Sequence, residues 1–259
     1  MSPRRRMMLA VATALVLTLV VVVAVRTLGG RRAGGPPDQA RPGTVLLVPG
    51  YGGSPASLAP LADRLGATGR TATVVGLPGE GTGDLVLQAE VLDAAVRRAL
   101  DDGAPSVDII GYSAGGVVAR LWVDRHDGAS VARRVVTLGS PLHGTRLAAA
   151  GAMLSGACPP ACRQLAPGSD LLTRLERRPL PAGMAWLSVW TEDDETVQPP
   201  DSARLAGAVN VPVQSVCPGI RITHGQLPTD PLVTALVLRA TGTAPLAAPP
   251  DCATLRAGG

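Results

Sequence analysis

The chain has 259 residues, enough for one domain with a full-sized core plus a separate N-terminal segment, and too few for two catalytic domains. Six of its 24 basic residues, all arginines, precede Pro36 and no acid does, so residues 36–259 carry 18 arginines against 20 acids, a net charge of −2. The overall charge of +4 therefore belongs to the N-terminus, and the folded part lacks the basic surface that a nucleic-acid partner requires.

Arg4, Arg5 and Arg6 are followed by an uncharged apolar stretch over residues 7–25. About 19 apolar residues approach the length that spans a bilayer and exceed the roughly 7–15-residue core of a cleaved signal peptide. The basic cluster favours an N-terminus kept inside. Residues 1–28 therefore read as an uncleaved signal anchor, with a signal peptide cut near Val22-Val23-Ala24 as the alternative. Either exports the rest of the chain, and an uncleaved helix would make the membrane a partner. Residues 29–42, rich in Gly, Pro and Arg, read as a flexible linker, and residues 43–259 as one folded domain.

Within that domain the apolar pattern alternates between two periods. Strands are predicted over residues 44–48, 71–75, 106–110, 133–138, 185–190 and 209–215. Helices are predicted over 57–65, where Leu58, Leu61, Ala62 and Leu65 share a face, over 84–100, directly after Ser113, and over 231–240. Continuous apolar strands separated by helices imply a mostly parallel α/β sheet of about six strands, covered on both faces. Residues 145–181 interrupt the rhythm. They read as a lid or cap-like insertion in which a short helix over 169–177 carries Leu171, Leu172 and Leu175 on a pocket wall, or else as a surface excursion pinned by a disulfide.

Cys158, Cys162, Cys217 and Cys252 make an even count in an exported chain, which suggests two disulfides. Three connectivities are open, and 158–162 with 217–252 is the simplest. The spacing does not suit a zinc site, and no metal is expected.

Chemistry centres on Gly111-Tyr112-Ser113-Ala114-Gly115, a G-x-S-x-G run between a predicted strand and a predicted helix. Such a turn lifts the serine hydroxyl above the sheet edge and aims the next amide, that of Ala114, at a developing oxyanion. A nucleophilic serine needs a base, and there are three histidines, His126, His143 and His224. With the order serine, acid, histidine along the chain, only His224 qualifies, His143 being the competitor. The acid should follow the fifth strand, where Glu192, Asp193, Asp194 and Glu195 cluster. One carboxylate suffices, the other three being solvated, and spacing does not separate Asp193 from Asp194. The loop Pro49-Gly50-Tyr51-Gly52-Gly53 offers a second oxyanion donor from the backbone of Tyr51 or a neighbour. It lacks the lysine and the spacing of a phosphate-binding loop.

Together, Val-Pro-Gly-Tyr-Gly-Gly at 48–53, Gly-Tyr-Ser-Ala-Gly-Gly at 111–116, Gly-Ser-Pro-Leu-His-Gly-Thr at 139–145 and Asp-Asp-Glu-Thr-Val-Gln-Pro at 193–199 resemble the small secreted, actinobacterial-type lipases and esterases of the α/β-hydrolase superfamily. The resemblance covers residues 44–240. It implies an α/β-hydrolase fold, catalytic Ser113, Asp194 and His224, and oxyanion amides at Tyr51 and Ala114. It selects Asp194 as the first residue of a D-E-x-V pattern and makes His143 non-catalytic. It also implies the cysteine pairs proposed above. The departure is the N-terminus, since an uncleaved anchor is unusual for a freely secreted lipase.

The expectation is a cofactor-free, monomeric, extracytoplasmic serine hydrolase acting on small-molecule esters of lipid-like acids. The alternatives are an acyltransferase using the same triad on a lipid or cell-envelope acceptor, and a tethered binding protein without catalysis.

Overall fold

The computed structural model describes residues 36–153 and 158–257, together with Pro3, Arg5, Thr13, Leu17 and Thr18. Apart from those five residues, the segment 1–28 read as a signal anchor or signal peptide lies outside the described residues, as does the linker up to residue 35. Among the described residues no helix is long and apolar enough to cross a membrane. Pro36–Gly259 is a compact unit of its own.

Its frame is a parallel sheet of β1 (Thr44–Val48), β2 (Ala72–Val74), β3 (Val107–Tyr112), β4 (Ala132–Leu138), β5 (Trp186–Trp190) and β6 (Val209–Pro212), in the order β2-β1-β3-β4-β5-β6. The strands lack polar alternation because both faces are covered. All seven residues of β4 are buried. Leu46, Ile109, Val135 and Trp186 point to one layer, and Val45, Leu47, Ile110 and Val136 to the other.

The helices are α1 (Ala59–Ala67), α2 (Leu85–Asp101), α3 (Ala114–Arg125), α4 (Arg146–Met153), α5 (Pro160–Gln164), α6 (Asp170–Glu176), α7 (Val213–Val216), α8 (Pro231–Thr241) and α9 (Cys252–Ala257). Helices α2 and α3 fill the first layer with Leu85, Leu92, Val117 and Trp122. Helices α1 and α8 fill the second with Leu61, Leu65, Val233 and Leu236. Aspartate caps start two of the three longest described helices: Asp84 accepts from the Val86 amide before α2, and Asp230 from the Leu232 and Val233 amides before α8.

Four elements differ from expectation: helices α4 and α5 were not anticipated, and the other two follow β5. The last strand stops at Pro212, which has no N–H to extend the ladder, and residues 213–216 turn into α7. Helix α9 was not anticipated, and the Cys217–Cys252 disulfide ties it to the segment after α7. The second disulfide joins Cys158 to Cys162 at the start of α5.

Among its described residues, the insertion between β4 and β5 contains the helices α4, α5 and α6. The leucines of α6 do not form a pocket wall. Leu171, Leu172 and Leu175 lie on one helical face at spacings of one and three to four residues, and that face is buried in the same layer as α3. Water exclusion is served better by the core than by a cleft.

Below the N-terminal ends of the strands lies a buried ionic network. Asp108, fully buried on β3, accepts from Arg133 at 2.5 Å and from Arg70 at 2.6 Å. The same arginines, with Arg134, donate to the carbonyls of Ala240, Thr241, Gly242 and Ala244 at the end of α8. Three cations thereby meet the negative end of a helix. Burial, and secondarily Arg133, push Arg134 below the usual arginine range. Gln39 joins the network through Arg133 and Arg134, which fixes the residues just before β1. Asp108→Ala would leave Arg133 buried without its counter-charge. It is expected to lower the unfolding free energy by about 3–5 kcal/mol in denaturant titrations.

Candidate active site

Because β2 lies on one side of β1 and β3 on the other, the chain reverses its winding between β1 and β3. In such sheets the crevice beyond the C-terminal ends at this point is the binding site. The loop after β1 and the turn after β3 both open into it.

Ser113 follows β3 directly and takes φ 52° and ψ −125°, a left-handed conformation for a residue with a Cβ. Its amide donates to the Leu138 carbonyl at 2.8 Å, and α3 begins at the next residue. The turn is this sharp because the backbones of β3 and α3 touch. A Cβ on Gly111 would lie 2.5 Å from the Gly116 Cα. The amide of Ala114, first in α3, is among those that a helix leaves without an internal partner.

Three side chains line up from this turn. His224 Nε2 is 3.0 Å from Ser113 Oγ, and His224 Nδ1 is 2.7 Å from Asp194 Oδ2. Asp194 Oδ1 accepts the amides of Thr196 at 2.9 Å and Val197 at 2.7 Å, which locks the carboxylate in its turn after β5. With the Nδ1–H donated as a hydrogen bond to Asp194, Nε2 keeps a lone pair that can accept from the Ser113 hydroxyl. Asp194 and His224 are both buried. Tyr51 lies on the loop after β1, and Gly50 beside it approaches Ser113 so closely that a Cβ there would be 2.9 Å from Ser113 Cβ.

The other two histidines are engaged elsewhere. His143 contacts Glu176 at 2.9 Å and the Arg204 carbonyl at 3.0 Å, and His126 contacts Glu90 at 3.2 Å. The neighbouring carboxylates are not uniformly solvated. Asp193 faces Arg221 at 3.2 Å and Gln214 at 3.3 Å, while Glu195 accepts the His224 amide at 3.0 Å. Only Glu192 of the four has no such partner described. No spacing rule pointed to Glu195, because its contact is with backbone 29 residues away.

Tyr112 also enters the site. Its hydroxyl donates to the His224 carbonyl at 3.2 Å, and its ring lies 5.2 Å from the imidazole. Burial first, then the charges of Asp194 and Glu195, push its phenol up to about 12. The group is therefore a neutral donor at any physiological pH.

Above Ser113 opens a cavity of about 390 Å³, walled by Tyr51, Leu147, Ala148, Cys162, Leu165 and Val197. The insertion thus contributes through α4 and α5, and Cys162 brings the Cys158–Cys162 disulfide to the cavity edge.

Comparison with known proteins gives the frame a precedent. The structure of Aspergillus fumigatus lipase B superposes with a TM-score of 0.65 at 20% identity, over 80% of this chain and 54% of that one. This chain thus spans about half the length of the fungal protein. Bacillus licheniformis lipase BlEst2 in its mature form gives 0.64 at 18% identity, over 82% of this chain and 96% of that one. Its propeptide form gives 0.67 at 19%, over 85% and 55%. The chain has the α/β-hydrolase fold. Residues 81–155 of this α/β-hydrolase domain also match the PGAP1-like alpha/beta domain family, under a third of the chain. No curated protein sequence matches it.

Gly139 follows β4 behind the His224–Asp194 pair. At φ +54°, a Cβ there would lie 2.5 Å from Leu227 Cδ1, 3.1 Å from His224 Nδ1 and 3.2 Å from Asp194 Oδ2. Gly139→Ala is expected to part the pair, read by proton NMR as loss of a low-field Nδ1–H resonance present in the wild type. It should also destabilise the fold by more than about 1 kcal/mol. In a Tyr51→Phe variant, where Tyr112 is the remaining tyrosine, the tyrosinate absorbance should emerge only as the pH nears about 12.

Proposed function

We propose that this chain is a serine hydrolase cleaving carboxylic esters whose acyl part is lipid-like. The observation that carries the reading is the unbroken path from Ser113 Oγ through the His224 imidazole to Asp194, with links of 3.0 Å and 2.7 Å.

In this reaction Ser113 Oγ attacks the ester carbonyl carbon while its proton passes to His224 Nε2. Asp194, already holding the Nδ1–H, stabilises the imidazolium. The carbonyl oxygen, now an oxyanion, is received by the backbone N–H groups of Tyr51 and Ala114. Each such donor is worth about 10²–10³ in kcat. The intermediate collapses, the imidazolium protonates the leaving alkoxide, and the alcohol departs from an acyl-serine. Water then repeats the sequence, its proton going to His224, and the acid leaves with Ser113 restored.

The apolar wall of the cavity supports an acyl chain as the group bound there. The Aspergillus and Bacillus proteins compared above are themselves named lipases. Two disulfides suit an oxidising compartment, and residues 7–25, acting as a signal anchor or signal peptide, would deliver the domain outside the cytoplasm.

Ser113→Ala is expected to lower kcat/KM on p-nitrophenyl esters by at least about 10⁴-fold and to abolish fluorophosphonate labelling. Turnover retained by that variant refutes the nucleophile. Across p-nitrophenyl esters of rising chain length, kcat/KM should climb about fourfold per methylene until the cavity is full. Ala148→Phe should cut the decanoate rate more than the acetate rate.

A further inference from the structure

The imidazole of His224 is held by Asp194, but the residue's own peptide groups are held as well, by side chains that no step of the reaction above consumes. On the amino side, the His224 N–H donates to Glu195 Oε2 at 3.0 Å. On the carboxyl side, the His224 carbonyl accepts from the Tyr112 hydroxyl at 3.2 Å. Glu195 is the residue after Asp194, and Tyr112 the residue before Ser113. One chain neighbour of each of the other two triad members therefore grips the backbone of the third.

We propose that Glu195 and Tyr112 are positioning residues for His224, fixing the main chain of the base relative to both the acid and the nucleophile. The inference rests on the serine-hydrolase reading. His224 sits at the start of a short turn, His224–Gln226, where the element itself supplies little rigidity. The Thr223 amide bonded to Gln226 Oε1 at 2.8 Å closes that turn locally but does not tie it to the sheet. The two side chains do. Without them the imidazole swings about its Cα, and a misplacement of about 1 Å at a reacting group costs on the order of 10²-fold in rate.

The two partners suit the task differently. Tyr112 is half-buried and stays protonated, so it is always a donor to the carbonyl. Glu195 is exposed at its edge, and a charged acceptor makes a stronger bond to an amide than water does. Asp193, on the other side of Asp194, is turned instead to Arg221 and Gln214 and leaves the base alone. The D-E-x-V pattern at 194–197 thus uses its second acid for the histidine backbone, and the amides of 196 and 197 for the first acid.

The test compares wild type, Glu195→Ala, Glu195→Gln and Tyr112→Phe, each checked for a thermal unfolding midpoint near that of the wild type. The readouts are kcat and KM on p-nitrophenyl butyrate and the second-order rate of fluorophosphonate labelling. Glu195→Ala and Tyr112→Phe should each lower kcat and the labelling rate about tenfold with KM within about twofold. Glu195→Gln, whose amide oxygen still accepts the N–H, should recover to within about threefold of wild type. The proposal is overturned if Glu195→Ala and Tyr112→Phe keep wild-type kcat, if their losses appear in KM, or if Glu195→Gln is as impaired as Glu195→Ala. A Ser113→Ala protein that still turns over would sink the hydrolase reading itself. An inactive Ser113→Ala beside fully active Glu195 and Tyr112 variants would sink this inference alone.

Discussion

Ser113 holds φ 52° and ψ −125° against an intrinsic preference worth about 1–3 kcal/mol, and the surrounding packing decides that it does. Its amide is committed to Leu138 on the neighbouring strand, while the next ten residues, from Ala114 to Val123, are buried in the body of α3. Between those two anchors the backbone has no room for a gentler turn. Gly111 and Gly116 carry no Cβ because their backbones meet there, so the strand can pass into the helix within a single residue. The hydroxyl then stands clear of the sheet edge, and the first amides of α3 face the same space. Relaxing that one turn would turn the Ser113 hydroxyl away from His224 and the first amides of α3 away from the same space.

Asp194 and His224 reach this point by separate routes. Asp194 comes from the end of β5, two strands away, in a turn whose amides saturate one carboxylate oxygen and leave the other for the imidazole. A buried carboxylate is tolerable only when its oxygens are matched in this way. His224 comes from the connection between α7 and α8, whose ends are secured by the Cys217–Cys252 disulfide and by the aspartate cap of α8. Gly139 lies where the two routes meet and leaves just enough space for both side chains. The ionic network around Asp108 sits at the opposite end of the same strands, so the charged groups that stabilise the frame are kept apart from those around Ser113.

How much of this was legible in the amino-acid sequence depended on the range of the interaction. The strands could be read because burial on both faces removes polar alternation, as the apolar run of β1 illustrates. Ser113 could be read because the glycines around it answer a local backbone demand. The alignment with His224 followed from chain order and was sharpened by motif resemblance. What could not be read was the direction of side chains in the insertion. Leu171, Leu172 and Leu175 have the same pattern whether they face a cleft or α3, and only packing decides. Glu195 was equally opaque, since a carboxylate bonded to a distant amide looks in sequence like any solvated acid. Helix α9 escaped because its six residues carry too little periodicity, and a disulfide secures it.

The account turns on Ser113, His224 and the Tyr51 and Ala114 amides acting on one carbonyl group. The most direct measurement is a crystal structure of the protein after reaction with an alkyl fluorophosphonate. The account predicts phosphorus bonded to Ser113 Oγ, one phosphonyl oxygen within about 2.7–3.1 Å of both amide nitrogens, and the alkyl chain lying toward Ala148 and Leu165. An adduct on another residue, or a phosphonyl oxygen turned to solvent with neither amide near it, would contradict it.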